Sequence, residues 1–108
     1  MNTRPAKKIT IYIDEASKVH GKPAYEAVME ICFHNKISGV SVFRGVAGYG
    51  GQRIFHTAKI LDLSTSLPVK IVIVDSDEMI KRVLPEIAAL ITKGLIEVSD
   101  TLIVETGV

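Results

Sequence analysis

From Lys8 to Asp14 apolar and polar residues alternate, with Ile9, Ile11 and Ile13 on one side and Thr10, Tyr12 and Asp14 on the other. Successive side chains of an extended chain point to opposite faces, so this spacing predicts a half-buried first strand. Residues 1–6 carry no such period and are expected to form a flexible arm ahead of a single domain over residues 7–108. Gly21 and Pro23 then punctuate the chain. Ala24, Ala27, Val28 and Ile31 recur at the spacing of one helical face, predicting a helix that ends near Asn35 or Lys36. Gly39 to Val46, rich in Val and Phe, reads as a second strand. Residues 47–68 hold Gly48, Gly50 and Gly51 in an irregular stretch too long for a tight turn, and are expected to be a long functional loop. Val69 to Val74 is β-branched apart from Lys70, which suits a central strand covered on both faces. Asp75 with Glu78 fits a capping box, and Ile80, Val83, Leu84, Ile87 and Ile91 form a second helical stripe in which Pro85 predicts a kink or restart. Lys93-Gly94 is expected to close that helix, and Leu95 to Glu105 to form a last strand bending at Ser99-Asp100.

The resulting order, β-α-β-β-α-β, points to the α+β class. Its commonest solution is the ferredoxin-like arrangement, a four-stranded antiparallel sheet with two helices on one face. The other face must then be polar or covered by a second subunit. Of 108 residues, 47% are hydrophobic, more than one small core requires, which favours a homo-oligomer. Thirteen basic residues against twelve acidic ones, without a Lys/Arg stripe, give no reason to expect nucleic acid as a partner. No apolar run approaches the roughly 20 residues that span a bilayer, and the N-terminus lacks a signal-peptide pattern, so a cytoplasmic location is expected. The single cysteine, Cys32, has no disulfide partner in the chain and falls among helical apolar residues, as a buried small hydrophobe does.

Candidate chemistry concentrates between Arg44 and Arg53, where Gly45, Gly48, Gly50 and Gly51 surround Tyr49, with His56 close behind. Glycines let backbone N–H groups approach an anion, and Arg44 and Arg53 offer forked donors to phosphate or carboxylate. Glycines in a mobile turn beside solvated arginines are an equally good account of the same residues. The glycine spacing is not that of a dinucleotide fingerprint, and no Walker A motif is present. Lys93-Gly94 supplies another cation on flexible backbone, although a helix C-cap explains that pair more simply. His20, His34 and His56 are scattered, so no metal site is expected. Without a GxSxG, a His-Glu-x-x-His or a paired-carboxylate motif, catalysis is not expected either, and Asp62 and Asp75 read as turn or capping residues.

The segment from Gly39 to His56 resembles the PII signal-transduction family, whose second strand runs into a Gly-aromatic-Gly corner, here Gly48-Tyr49-Gly50, and then a long loop. Arg44-Gly45-x-x-Gly48-Tyr49-Gly50, His56-Thr57, Leu67-Pro68 and Asp75 look like a widespread uncharacterised PII-like family of bacteria and archaea, over nearly the whole chain. The resemblance implies a trimeric regulatory protein that binds an adenine nucleotide at clefts between subunits and signals through the 47–68 loop. It further implies that Gly39, Val40 and Ser41 contact the base, that Gly50 and Gln52 lie near phosphates, and that Lys93-Gly94 is the glycine/lysine loop before the last strand. Arg44, Gly48, Tyr49, Arg53 and His56 complete the candidate ligand-binding set. Where PII proteins carry two phosphate-binding arginines before a Thr-Gly, this chain has Ile103 and Glu105. A carboxylate there repels a triphosphate, so ADP, AMP or another anion fits better than ATP. Two alternatives are a ligand-free trimeric scaffold contacting a protein such as a membrane transporter, and a metal-linked trimer similar to the CutA family.

Overall fold

Four long strands and two helices carry the architecture in a computed structural model that describes residues 1–51, 55–57 and 67–107, His56 by its backbone alone. Strand β1 spans Thr3–Asp14. A small hairpin follows, β2 (Lys18–Val19) and β3 (Lys22–Pro23), turning at His20-Gly21. Helix α1 is Ala24–His34 and strand β4 is Val40–Arg44. Two short strands, β5 (Ala47–Gly48) and β6 (His56–Thr57), pair with one another. Strand β7 is Pro68–Asp75, helix α2 is Asp77–Leu90, and β8 is Leu95–Val104. The four long strands form one antiparallel sheet in the order β4-β7-β1-β8, the ferredoxin-like topology expected from the element order.

Register explains the core. Ile9, Ile11 and Ile13 lie opposite Ile73, Ile71 and Val69, so six β-branched side chains share one face and meet the stripes of both helices. Ala24, Val28 and Cys32 come from α1, and Ile80, Val83 and Ile87 from α2. Burial pushes the Cys32 thiol up to about 11, so it remains a neutral apolar filler. Among the described residues no helix is long and apolar enough to cross a membrane.

Several expectations require correction. Residues 1–6 do not form a free arm throughout: β1 begins at Thr3, and Thr3 to Ala6 pair with Val104 to Thr101. Arg4 Nε donates to Glu105 Oε1 at 3.1 Å, Lys7 is ion-paired with Asp100, and the Glu105 N–H donates to the Asn2 carbonyl, so polar contacts extend the ladder where apolar alternation is lacking. For the same reason β8 passes through Ser99-Asp100 as a continuous strand. Strand β7 is covered on one face only, with Val72 and Val74 half-buried and Lys70 exposed on the other. Helix α2 continues through Pro85, and its N-cap is Ser76, whose Oγ accepts from the Met79 N–H, not Asp75. That helix ends at Leu90, so Lys93-Gly94 lies beyond its cap.

Candidate functional site

Strand β4 forms one edge of the sheet and β8 the other, and the candidate residues divide between them. Gly39, Val40 and Ser41 stand at the start of β4 and Arg44 at its end. Val40, Val42 and Arg44 are registered with Ile73, Ile71 and Val69, which places them on the helix-bearing face. Ser41 and Phe43 point to the open face, where Lys70 lies over the Phe43 ring at 5.6 Å. Gly48 pairs with His56 in the short β5–β6 ladder, with Tyr49 and Gly50 just beyond. Gln52, Arg53 and the His56 side chain lie outside the described residues, as does Asp62. Lys93 and Gly94 occupy the turn before β8, three strand spacings or roughly 14 Å across the sheet from β4. One subunit therefore does not bring the two groups together.

The root of the 47–68 segment is held closely. The Gly45 N–H donates to the Pro68 carbonyl at 2.7 Å, and a Cβ on Gly45 would stand 2.8 Å from Pro68 Cγ, so only glycine lets β4 leave the sheet this tightly. The Glu15 N–H donates to the Leu67 carbonyl at 2.9 Å, tying the far end of the segment to the end of β1. Arg44 Nε donates to Glu15 Oε2 at 2.9 Å, so an anion reaching this guanidinium competes with a carboxylate. Tyr49 and Phe55 face one another with ring centroids 5.0 Å apart, both exposed.

At the other end of β4, Asp75 braces the chain just ahead of Gly39. Its Oδ2 accepts from the Ser38 N–H at 2.9 Å and the Ser38 hydroxyl at 3.2 Å, and its Oδ1 from the Ser76 N–H at 2.7 Å. Burial by itself raises this carboxyl, but the donors from Ser38 and Ser76 together with the charge of Arg4 outweigh it and hold the group below its ordinary value. A lowered folded value means that the stabilisation is complete above the ordinary carboxylate range and is lost as pH falls through the folded value. Asp75→Asn is expected to cost about 1–3 kcal/mol at neutral pH, because an amide donor then faces an N–H. Urea titrations of both proteins should show this deficit shrinking as the pH is lowered through the carboxylate range.

Gly94 has φ of 151°, and a Cβ there would stand 2.6 Å from the Tyr12 carbonyl oxygen and 2.8 Å from Ile13 Cγ2. Close approach to β1 therefore explains this glycine, in place of helix capping. Beside it, Lys93 shares a recess of about 80 Å³ with Ser17, Lys18 and Thr92, so a second lysine joins the first. Glu105 is not an isolated carboxylate, since Arg4 pairs with it, and Arg4 also lies directly across from Ile103. The sequence reading missed Arg4, because its place in the sheet depends on the partner strand. Among the described residues no group of three or more His, Cys, Asp or Glu side chains could hold a metal.

The DUF190 family, described as an uncharacterized ACR, matches residues 6–103. The chain belongs to the DUF190 family. A UPF0166 protein of Methanocaldococcus jannaschii is 40% identical over 96 residues, covering 88% of each chain. Among solved structures, CPII of Thiomonas intermedia K12, a nitrogen regulatory PII-like protein bound to ADP, AMP and bicarbonate, matches with a TM-score of 0.72 at 15% identity, over 94% of this chain and 91% of its own. The divalent ion tolerance protein CutA1 of Ehrlichia chaffeensis matches with a TM-score of 0.60 at 12% identity, over 89% of this chain and 80% of its own. At such identities the likeness is one of fold, and this DUF190 chain has the PII-like form of the ferredoxin-like fold.

Proposed function

We propose that this DUF190 protein is a PII-like regulatory homotrimer that binds an adenine nucleotide, ADP, AMP or ATP, in clefts between subunits, and signals through residues 47–68. The observation that carries this reading is the division of the candidate residues between opposite edges of the sheet. Arg44 and the Gly48-Tyr49-Gly50 corner belong to the β4 edge and Lys93 and Gly94 to the β8 edge, a division that the apposition of two copies would bridge. Among the described residues of the single chain neither edge is paired with a further strand, and such edges are ordinarily covered. The open sheet face supports assembly as well, since Tyr12, Phe43 and Leu95 are exposed there beside half-buried Val72 and Val74. CPII, which shares the fold, was crystallised with ADP and AMP.

Ligand binding signals only if the two states of the 47–68 segment differ in affinity for the ligand. The Arg44–Glu15 pair gives such a difference a physical basis, because an anion that takes Arg44 removes a tie between the loop root and the end of β1. Calorimetric titration with ADP, AMP and ATP, with limited proteolysis of the 47–68 segment run alongside, tests the reading. Saturable binding accompanied by a change in cleavage is expected. Absence of binding by all three overturns it.

A second reading, a trimeric scaffold that contacts a protein through the loop root, draws on the exposure of Val46, Tyr49 and Phe55. On that reading nucleotide titrations are blank, and a Tyr49→Ala variant loses its protein partner.

A further inference from the structure

The recess beside Lys93 holds more polar chemistry than the turn before β8 requires. Its volume is about 80 Å³, well below the roughly 300–1,000 Å³ of sites that take whole small molecules, yet room for several waters. That size suits a single oxyanion or phosphoryl group. Ser17, Lys18, Thr92 and Lys93 form its polar wall, and all its other lining residues are apolar, so no carboxylate borders it. Lys7, Lys22 and Lys81 each have an acidic partner, whereas among the described residues neither Lys18 nor Lys93 has one. Two such charges on one small recess repel one another, and an anion held between them is attracted to both.

Both walls are fixed by backbone. Lys18 comes from the β2–β3 hairpin, an addition to the β-α-β-β-α-β order. His20 and Gly21 at its tip have φ of 50° and 82°, the left-handed pair of a tight two-residue turn. The Ala24 N–H donates to the Ser17 carbonyl at 2.8 Å, and Lys22 Nζ donates to Glu30 Oε1 and Oε2 at 2.9 and 2.8 Å, which ties the hairpin to α1. Across the recess, the close approach of Gly94 to β1 fixes the turn that carries Thr92 and Lys93. The start of α1 at Ala24 and the end of α2 at Leu90 both border the recess, and their opposite partial charges, about half a unit each, offset one another. The two full lysine charges therefore decide its preference for an anion.

We propose that the β2–β3 hairpin is a ligand-binding element and that Lys18, acting with Lys93, grips one phosphoryl-sized anion in this recess. Ser17 and Thr92 add hydroxyl donors to the same wall. The anion is either the terminal phosphate of a bound nucleotide or free orthophosphate. The first source rests on the nucleotide-binding reading above, and the second does not.

Calorimetric titration of wild-type, Lys18→Ala and Lys18→Arg proteins with orthophosphate, ADP and adenosine separates the two sources. Lys18 is exposed, so both variants are expected to melt close to wild type. With a nucleotide as the source, Lys18→Ala weakens ADP binding on the order of tenfold to a hundredfold, leaves adenosine unchanged, and Lys18→Arg retains ADP. With free orthophosphate as the source, Lys18→Ala loses orthophosphate by a similar factor and binds ADP as the wild type does. Wild-type behaviour of Lys18→Ala toward all three overturns the inference and, where ADP still binds, leaves the nucleotide reading intact. Equal loss of ADP and adenosine also overturns it, as does an equal loss of anion binding in Lys81→Ala, which removes the same charge from the far side of α2's first turns. A wild-type protein that binds neither orthophosphate nor ADP removes both readings together.

Discussion

Gly94→Val is expected to destabilise the protein by roughly 4 kcal/mol or more, the upper end for a single substitution. The added Cβ meets the Tyr12 carbonyl oxygen at 2.6 Å and Ile13 Cγ2 at 2.8 Å. The first of these is backbone in the middle of the sheet, held between β7 and β8 by the pairs Tyr12↔Lys70 and Tyr12↔Leu95. It cannot move without breaking those ladders, and Ile13 cannot move without opening the core against α2. A φ of 151° is also a conformation that side-chain-bearing residues rarely adopt, and β-branching narrows the choice further. At a few degrees of melting temperature per kcal/mol for a domain of this size, the shift should be on the order of 20 °C. Thermal melts at matched protein concentration would show it, concentration being held fixed because assembly contributes to apparent stability. A variant that melts within a few degrees of wild type would mean that the turn before β8 is not packed on β1 as described.

Arg44→Ala and Lys93→Ala are expected to have the opposite profile, with little effect on stability and a large one on ligand. Arg44 is largely exposed and its pair with Glu15 is of the surface kind, worth at most about 1 kcal/mol. Lys93 is exposed in its turn. Each variant should therefore melt close to wild type. Charge-assisted hydrogen bonds to a phosphate are worth about 1.5–3 kcal/mol, so each variant should bind ADP on the order of tenfold to a hundredfold more weakly. Unchanged affinity in both would leave the β4 and β8 edges without a ligand in common.

Most of the fold is legible in the chain because apolar period and secondary structure coincide. Ile9, Ile11 and Ile13 alternate on β1 and are buried, and Ile80, Val83 and Ile87 lie on one side of α2 and are buried too. Reading fails where a partner strand, and not the local pattern, decides. Thr3-Arg4-Pro5-Ala6 has no apolar alternation, yet β8 continues past the edge of β7 and offers Thr101 to Val104 for pairing. Ser99-Asp100 has the composition of a turn, but opposite Lys8 and Lys7 the two become solvent-facing members of a ladder. Pro85 removes one helical hydrogen bond, and the packing of Val83 and Ile87 on either side of it keeps the helix whole.

The candidate site was legible to a lesser degree. The glycine cluster from Gly45 to Gly50 announced itself by composition, and Gly45 does serve a close contact, with Pro68. The separation of that cluster from Lys93 by the width of the sheet is a property of strand order, which no local pattern encodes. Glu105 read alone appeared as a repulsive charge, and Arg4 alters that only through strand register.

The central claim, a nucleotide site shared between the β4 edge of one subunit and the β8 edge of another, is tested most directly by complementation. Arg44→Ala and Lys93→Ala subunits are unfolded together in equal amounts, refolded as mixed oligomers and titrated with ADP. Random assembly should restore tight binding in about a quarter of the clefts, those that draw an intact Arg44 from one subunit and an intact Lys93 from its neighbour. Mixed oligomers that bind no better than either variant alone would contradict the claim.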